Sequence, residues 1–237
     1  MAQTAINSVS AADYGPIVAP DSIASSFGAA LANSTATASI TPFPTTLAHT
    51  QVSITDSAKT TVSAPVIYVS PSQVNFMVPA TVALGRATVT ITSDAGTAQG
   101  PLLVSNVSPA FFTANANGKG VPAAQVTIVD SAGKQTFENV FEGAAGDYMP
   151  APVSLQSGSV YLSMWGTGFR RHSANPVFVT VKGVSIPVTY AGTQNQFIGL
   201  DQINAGPLPA SLAGAGPVDV VVTVDGIPAN TLQIAIQ

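Results

Sequence analysis

A chain of 237 residues with 46% hydrophobic and only 8% charged side chains is long enough for one large core or two of ordinary size. Seven Lys and Arg against eleven Asp and Glu leave a net charge of −4, which excludes nucleic acid as a partner, since that needs clustered cations. The absence of cysteine excludes disulfides, thiolate metal sites and a Cys nucleophile.

Charged residues make up about 25% of an ordinary soluble domain, so the polar surface of this chain has to come from Ser, Thr, Asn, Gln and backbone. No apolar run reaches the roughly 18 residues of a membrane span. The N-terminal "MAQTAINSVSAADYG" lacks the basic start and apolar stretch of a secretion signal. A surface so poor in charge suits a secreted bacterial β-protein, extracellular or at the cell surface, in which Met1 would be an introduced start standing where a signal was removed.

Helical periodicity is nearly absent along the chain. The β-branched or alternating runs "TVTITS" (88–93), "AAQVTIVD" (123–130), "PVFVTVKG" (176–183), "PVDVVVTVDG" (217–226) and "TLQIAIQ" (231–237) predict strands. Turn residues bound them: Asp94 to Gly96, Asp130 to Gly133, Lys182-Gly183 and Asp225-Gly226. Asp bonds its own backbone in a turn and Gly accepts positive φ, so these are hairpin signals. The 18 prolines fall at run ends, as edges and loops require.

The same phrase is written twice. "SIASSFGAAL" (22–31) matches "VYLSMWGTGF" (160–169), with Gly28 paired to Gly166; Tyr68 pairs with Tyr190, Gln73 and Asn75 with Gln202 and Asn204, and Gly85 and Asp94 with Gly216 and Asp225. The order is kept while the offset drifts, as two copies of one sandwich with unequal loops would show, and a repeat of this length means tandem domains. The expected fold is therefore all-β: two tandem immunoglobulin-like sandwiches, residues 1–107 and 108–237. The second carries an N-terminal hairpin segment, 108–158, at the junction (strands over 123–130 and 134–141, then the Gly- and Pro-rich "EGAAGDYMPAP").

The residues "GTGF", "VTVKGVSIPVTYAG", "LDQIN" and "LPASLAGAGPVDVVVTVDGIPANTLQIAI", with "SPAFFTANANGKGVPAAQV" before them, resemble the C-terminal module of large secreted proteins from Acidobacteria such as Solibacter. More distantly they are similar to IPT/TIG domains. The resemblance implies an extracellular, immunoglobulin-like, non-catalytic module and carries no binding residues with it.

Chemistry is sparse. A Ser nucleophile needs a base within reach; His49 and His172 are the two candidates, no G-x-S-x-G elbow exists, and both histidines read as loop positions. Glu138 and Glu142 lie four apart beside a hairpin end, and Asp201 with Gln202 and Asn204 offers oxygen ligands that the first copy, with Ser72 in place of Asp201, does not repeat. Arg170-Arg171-His172 reads as a solvated loop. Gln-x-Asn reads as an amide pair tying a loop through backbone bonds, and Phe27 and Trp165 as core aromatics of a central strand. No catalytic residue, metal or cofactor is assigned and no enzyme is expected; an enzyme would show a cleft with a perturbed His or carboxylate. The expected role is a structural or adhesive surface module. Its charge-free segments 101–107, 123–129 and 231–237 would be internal strands, or else exposed edges through which it pairs with itself, a route to a fibre subunit. The alternative is an accessory carbohydrate-binding module with a surface polysaccharide as partner.

Overall fold

The computed structural model describes residues 4–174 and 177–237; Met1 and Pro176 lie outside them. The fold is all-β, two tandem immunoglobulin-like sandwiches. One compact unit takes in the chain through Ser108 together with Asn195–Gly199, the other Pro109–Gln194 and Leu200–Gln237.

The first unit runs β1 (Thr4–Ala5), β2 (Asn7–Ser10), β3 (Ile17–Val18), β4 (Ile23–Phe27), β5 (Ala36–Thr37), β6 (Thr46–Leu47), β7 (Thr50–Thr55), β8 (Thr61–Ala64), β9 (Val66–Val69), β10 (Gln73–Met77), β11 (Gly85–Ser93) and β12 (Gly96–Val104). One sheet has the order β2-β4-β10-β9-β5; the other has β1-β12-β11-β7-β6, with β3 also on β12 and β8 on β7. The second unit runs β13 (Ala110–Phe111), β14 (Ala124–Val129), β15 (Gln135–Asn139), β16 (Phe141–Ala144), β17 (Asp147–Pro150), β18 (Pro152–Val153), β19 (Ser159–Thr167), β20 (Phe178–Val181), β21 (Val184–Ile186), β22 (Val188–Thr193), β23 (Asp201–Ala205), β24 (Gly216–Val224), β25 (Ile227–Pro228) and β26 (Leu232–Ile236). Its sheets are β15-β14-β19-β23-β22, with β13 on β19, and β18-β26-β24-β20-β21, with β25 on β24.

These are the same sandwich twice. β2, β4, β10 and β9 correspond to β14, β19, β23 and β22, and β12, β11 and β7 to β26, β24 and β20. In each copy the segment entering the sandwich crosses from one sheet to the other before the central strand. β3 lies parallel to β12 and β18 parallel to β26, and the register closes with the same bond, Ser105 N–H to the Val18 carbonyl and Gln237 N–H to that of Val153. The hairpin at the junction is present as β14 and β15, and β14 is at once the neighbour of β19 in the main sheet. "EGAAGDYMPAP" supplies most of a separate ribbon, β16 with β17, closed by an edge-on contact of Phe141 with Tyr148, centroids 5.0 Å apart.

Each copy has its own core, Phe76, Ile54 and Ile91 among its largest members in the first, Phe111, Phe169 and Met164 in the second. The turn signals hold. Lys182-Gly183 and Asp225-Gly226 have both residues at positive φ, the backbone that two-residue hairpins prefer. Asp130 accepts from the N–H groups of Ala132 and Lys134.

The three charge-free segments are not edges. β12 lies between β11 and the parallel strands β1 and β3, β14 between β15 and β19, and β26 between β24 and β18. Their backbone groups are taken up inside their own sandwich, so the edge-pairing expectation finds no support in them. Their lack of charge is what a strand with neighbours on both sides calls for.

The paired glycines have a common cause. A Cβ on Gly166 would stand 2.3 Å from the Ala110 carbonyl oxygen and 2.8 Å from Phe169 Cε1; one on Gly28 would stand 2.9 Å from Ile6 Cγ2 and 3.0 Å from Leu31 Cδ2. Leu31 and Phe169 are fully buried and follow their glycines by three residues, so each glycine vacates the space its own loop then fills. That loop is tied down differently in the two copies. Leu31 N–H donates to the Pro71 carbonyl at 3.0 Å, whereas Phe169 N–H donates to Asp201 Oδ2 at 2.8 Å. Asp201 is fully buried. It also accepts from Arg170 N–H at 3.1 Å and from Arg170 Nε at 2.6 Å, so Arg170 belongs to this anchor and not to a solvated loop. Burial raises the Asp201 carboxyl above its ordinary range, against the opposing pull of Arg170 and the two N–H groups.

Two predictions follow from these anchors. Gly166→Ala, which meets a carbonyl oxygen at 2.3 Å, should cost about 3 kcal/mol in chemical unfolding, and Gly28→Ala, which meets side-chain methyl groups at 2.9 and 3.0 Å and a carbonyl oxygen only at 3.4 Å, about 1 kcal/mol; equal costs would contradict the crowding described. In the first unit Asp56 accepts from the N–H groups of Ala58, Thr60 and Ala83. These bonds, Ala83 foremost, hold its carboxyl below the ordinary value against the effect of burial. Its contribution is therefore present above the unfolded pKa and lost as pH falls through the folded one. A pH series of melting temperatures should show Asp56→Asn losing stability at neutral pH and converging on the wild type in acid.

Candidate functional site

Strand parity decides which side chains the second unit displays. Along β19, Leu162 and Met164 are fully buried while Tyr161, Ser163 and Trp165 are half-buried, so the latter three share the outward face. Registered partners extend it sideways: Ser163 faces Gln125 and Asn204, Trp165 faces Gln202, and Tyr161 faces Thr127. Beyond these lie Tyr190 opposite Asn204 and Gly192 opposite Gln202, and on the other side Phe137 opposite Thr127 and Asn139 opposite Gln125.

Trp165 and Phe27 are thus not core residues. Both are half-buried on the outward faces of their sheets. The reason is the glycine after each one: Gly166 and Gly28 turn inward against the core, and a period of two places the preceding aromatic outside.

The amides bond one another across this face instead of tying a loop. Gln202 Nε2 donates to Asn204 Oδ1 at 2.7 Å, and Trp165 Nε1 donates to Gln202 Oε1 at 3.3 Å. Gln125 Nε2 donates to Asn139 Oδ1 at 3.1 Å. The first copy repeats the pair, Gln73 Nε2 donating to Asn75 Oδ1 at 2.8 Å, with Ser25 Oγ on the same oxygen. A bonded amide still has a free donor or lone pair, so these side chains are fixed in place with capacity left over. No Asp, Glu, Lys or Arg occupies the outward positions named here.

Glycines leave room beside two of the tyrosines. A Cβ on Gly206 would fall 2.8 Å from Tyr161 Cδ1 and 2.9 Å from its Cα, and one on Gly192 would fall 3.1 Å from the Tyr190 hydroxyl oxygen, so the Tyr190 ring runs along its strand towards Gly192. The Tyr190 hydroxyl donates to the Thr193 carbonyl, which fixes the end of a ring 37% exposed. A groove of about 350 Å3 passes Tyr161, Ser163, Asn204 and Thr127. The first unit lacks this display. Ser70 stands at the position of Gly192, its hydroxyl turned to the Gln73 carbonyl. Val9 and Ser25, which face each other outward in the register, are buried, and Tyr14 lies 6.0 Å from the Phe27 ring.

The remaining candidates do not assemble. His49 is exposed, 3.6 Å from Asp94. His172 contacts the carbonyls of Ser173 and Ala191. Glu138 and Glu142 are exposed on β15 and β16. Asp201 is spent on Arg170 and two N–H groups and points inward, while Gln202 and Asn204 point outward, so the three cannot converge on a cation. Among the described residues no cluster of three or more metal-ligating acids and histidines occurs, and no helix is long and apolar enough to cross a membrane.

No family model and no curated protein matches the chain. Among solved structures it is similar to SGBP-B of the Bacteroides ovatus mixed-linkage glucan utilization locus, in complex with a mixed-linkage heptasaccharide. That match has TM-score 0.37 and 12% identity, and covers 94% of this chain and 43% of that one. It is also similar to SGBP-B from a complex xyloglucan utilization locus in Bacteroides uniformis (TM-score 0.27, 10% identity, 99% and 49% covered) and to domains 5–6 of the S-layer protein SbsC (TM-score 0.26, 13% identity, 99% and 96% covered). The chain spans less than half the length of the first two.

The outward position of Trp165 has a measurable consequence. Trp165→Ala should cost under about 2 kcal/mol, whereas Phe169→Ala, fully buried, should cost about 3–5 kcal/mol. The single tryptophan should emit at long wavelength and be quenched by acrylamide in the folded protein; blue, unquenched emission would return it to the core.

Proposed function

We propose that the chain is a non-catalytic extracellular surface module, of the kind its sequence resembles in secreted proteins of Acidobacteria. In this reading the second sandwich presents an adhesive face and both sandwiches serve as its support. The observation that carries the reading is the outward sheet of the second unit, where Tyr161, Trp165 and Tyr190 are displayed beside amides already bonded to each other. Half-exposed aromatics held in fixed geometry lose little freedom on contact, which is what a binding surface needs. Polymerisation through terminal strands is not part of the proposal, because those strands are internal.

Adsorption tests the proposal. The full chain, incubated with crystalline cellulose, chitin, peptidoglycan sacculi and collagen, should be depleted from solution by at least one of them without releasing soluble fragments. Release of reducing ends or peptides, or retention on none of the four, would overturn it.

A further inference from the structure

We propose that the outward face of β15-β14-β19-β23-β22 binds an extended, neutral β-linked polysaccharide, with Tyr190 and Trp165 as stacking platforms and the Gln202–Asn204 pair beside them reading hydroxyl groups. The inference rests on the surface-module reading and gives its ligand a chemical class.

Three features converge on this class. The first is charge. Neutral amides, hydroxyls and aromatic rings make up the outward positions described, with no Asp, Glu, Lys or Arg among them, so the face offers no counter-charge to an anionic glycan, a phosphate or an acidic peptide. A neutral polyol needs donors and acceptors together, and Gln, Asn and Ser side chains supply both from one group.

The second feature is ring posture. A pyranose presents an apolar face of C–H bonds and a rim of hydroxyls. It packs on an aromatic ring reachable from solvent, not on one sealed in a core. Gly192 leaves the Tyr190 ring room to run along its strand, 37% exposed, and the bond from its hydroxyl to Thr193 fixes it there; the bond from Trp165 Nε1 to Gln202 Oε1 ties the second ring.

The third is spacing. The Tyr190 ring reaches along its strand to Gly192, and Gly192 faces Gln202, which faces Trp165. Two strand spacings separate the ends of that row, about 10 Å. That is close to one disaccharide of an extended β-linked chain, and it leaves Gln202 under the sugar between. A compact or helical glycan would not span the platforms. Position by position, the first unit lacks the arrangement: Ser70 replaces Gly192, and the outward face around Ser25 is closed.

Native gels containing soluble polymer test this on the full chain. Hydroxyethylcellulose, neutral and β-linked, should retard migration. Carboxymethylcellulose, the same backbone made anionic, should retard it less, and starch, α-linked, should not retard it. Tyr190→Ala should weaken retardation at least tenfold with the melting temperature unchanged, Tyr190→Phe, which keeps the ring but loses its bond to Thr193, should weaken it less, and Tyr68→Ala, the equivalent position of the first unit, should leave it as in the wild type. Cellohexaose should shift Trp165 emission. No retardation by hydroxyethylcellulose, stronger retardation by carboxymethylcellulose or starch, or wild-type retardation in both Tyr190→Ala and Trp165→Ala would overturn the proposal. Retention on chitin, sacculi or collagen alongside any of these results would leave the surface-module reading standing while removing this ligand; retention on nothing would remove both.

Discussion

A Cβ on Gly166 would lie 2.3 Å from a backbone oxygen, and that exclusion sets the orientation of the central sheet of the second unit. With residue 166 turned inward, the period of two sends Trp165, Ser163 and Tyr161 outward and Met164 and Leu162 into the core. The registered neighbours inherit the choice: Gln202 and Asn204 come to the surface, while Ile203 and the buried Asp201 go in. A slip of one residue would bury the amides and expose the core, so one crowded position holds both packing and display.

The architecture was largely legible in the sequence, because its landmarks are local. Asp225-Gly226 and Lys182-Gly183 specify tight turns by backbone chemistry alone, and the repeated aromatic-Gly and Gln-x-Asn phrases mark central strands whatever the loops between them do. What was misread needed a second strand. Trp165 looks like core by type, and only the inward pull of Gly166 against Ala110 and Phe169 reverses it. The bareness of 231–237 reads as an internal strand or else an exposed edge, and it is β18, some eighty residues earlier in the chain, that makes it internal by covering its far side. Arg170 looks like a surface charge until Asp201 is brought beneath it.

The two copies solve one problem by different means, and the difference bears on what each can do. In the first, the loop after the central strand hangs on the backbone carbonyl of Pro71; in the second, on the side chain of Asp201. A side-chain anchor carries a charge that must be neutralised, and Arg170 does so. It also leaves β22 and β23 free to differ from β9 and β10, as Gly192 in place of Ser70 does. The amide pair is half-buried in both sandwiches, but beside it Val9 and Ser25 are buried in the first while their counterparts Gln125 and Ser163 are half-buried in the second.

The parallel pairings β3 with β12 and β18 with β26 also govern how such a chain emerges from the ribosome. Each joins the entry of a sandwich to its final strand, so neither sheet can close until nearly the whole unit has been synthesised. Until then β11 or β24 presents an unsatisfied ladder to its surroundings. The low charge that suits the finished strands gives these waiting segments little protection, so each sandwich has to close before they find partners elsewhere.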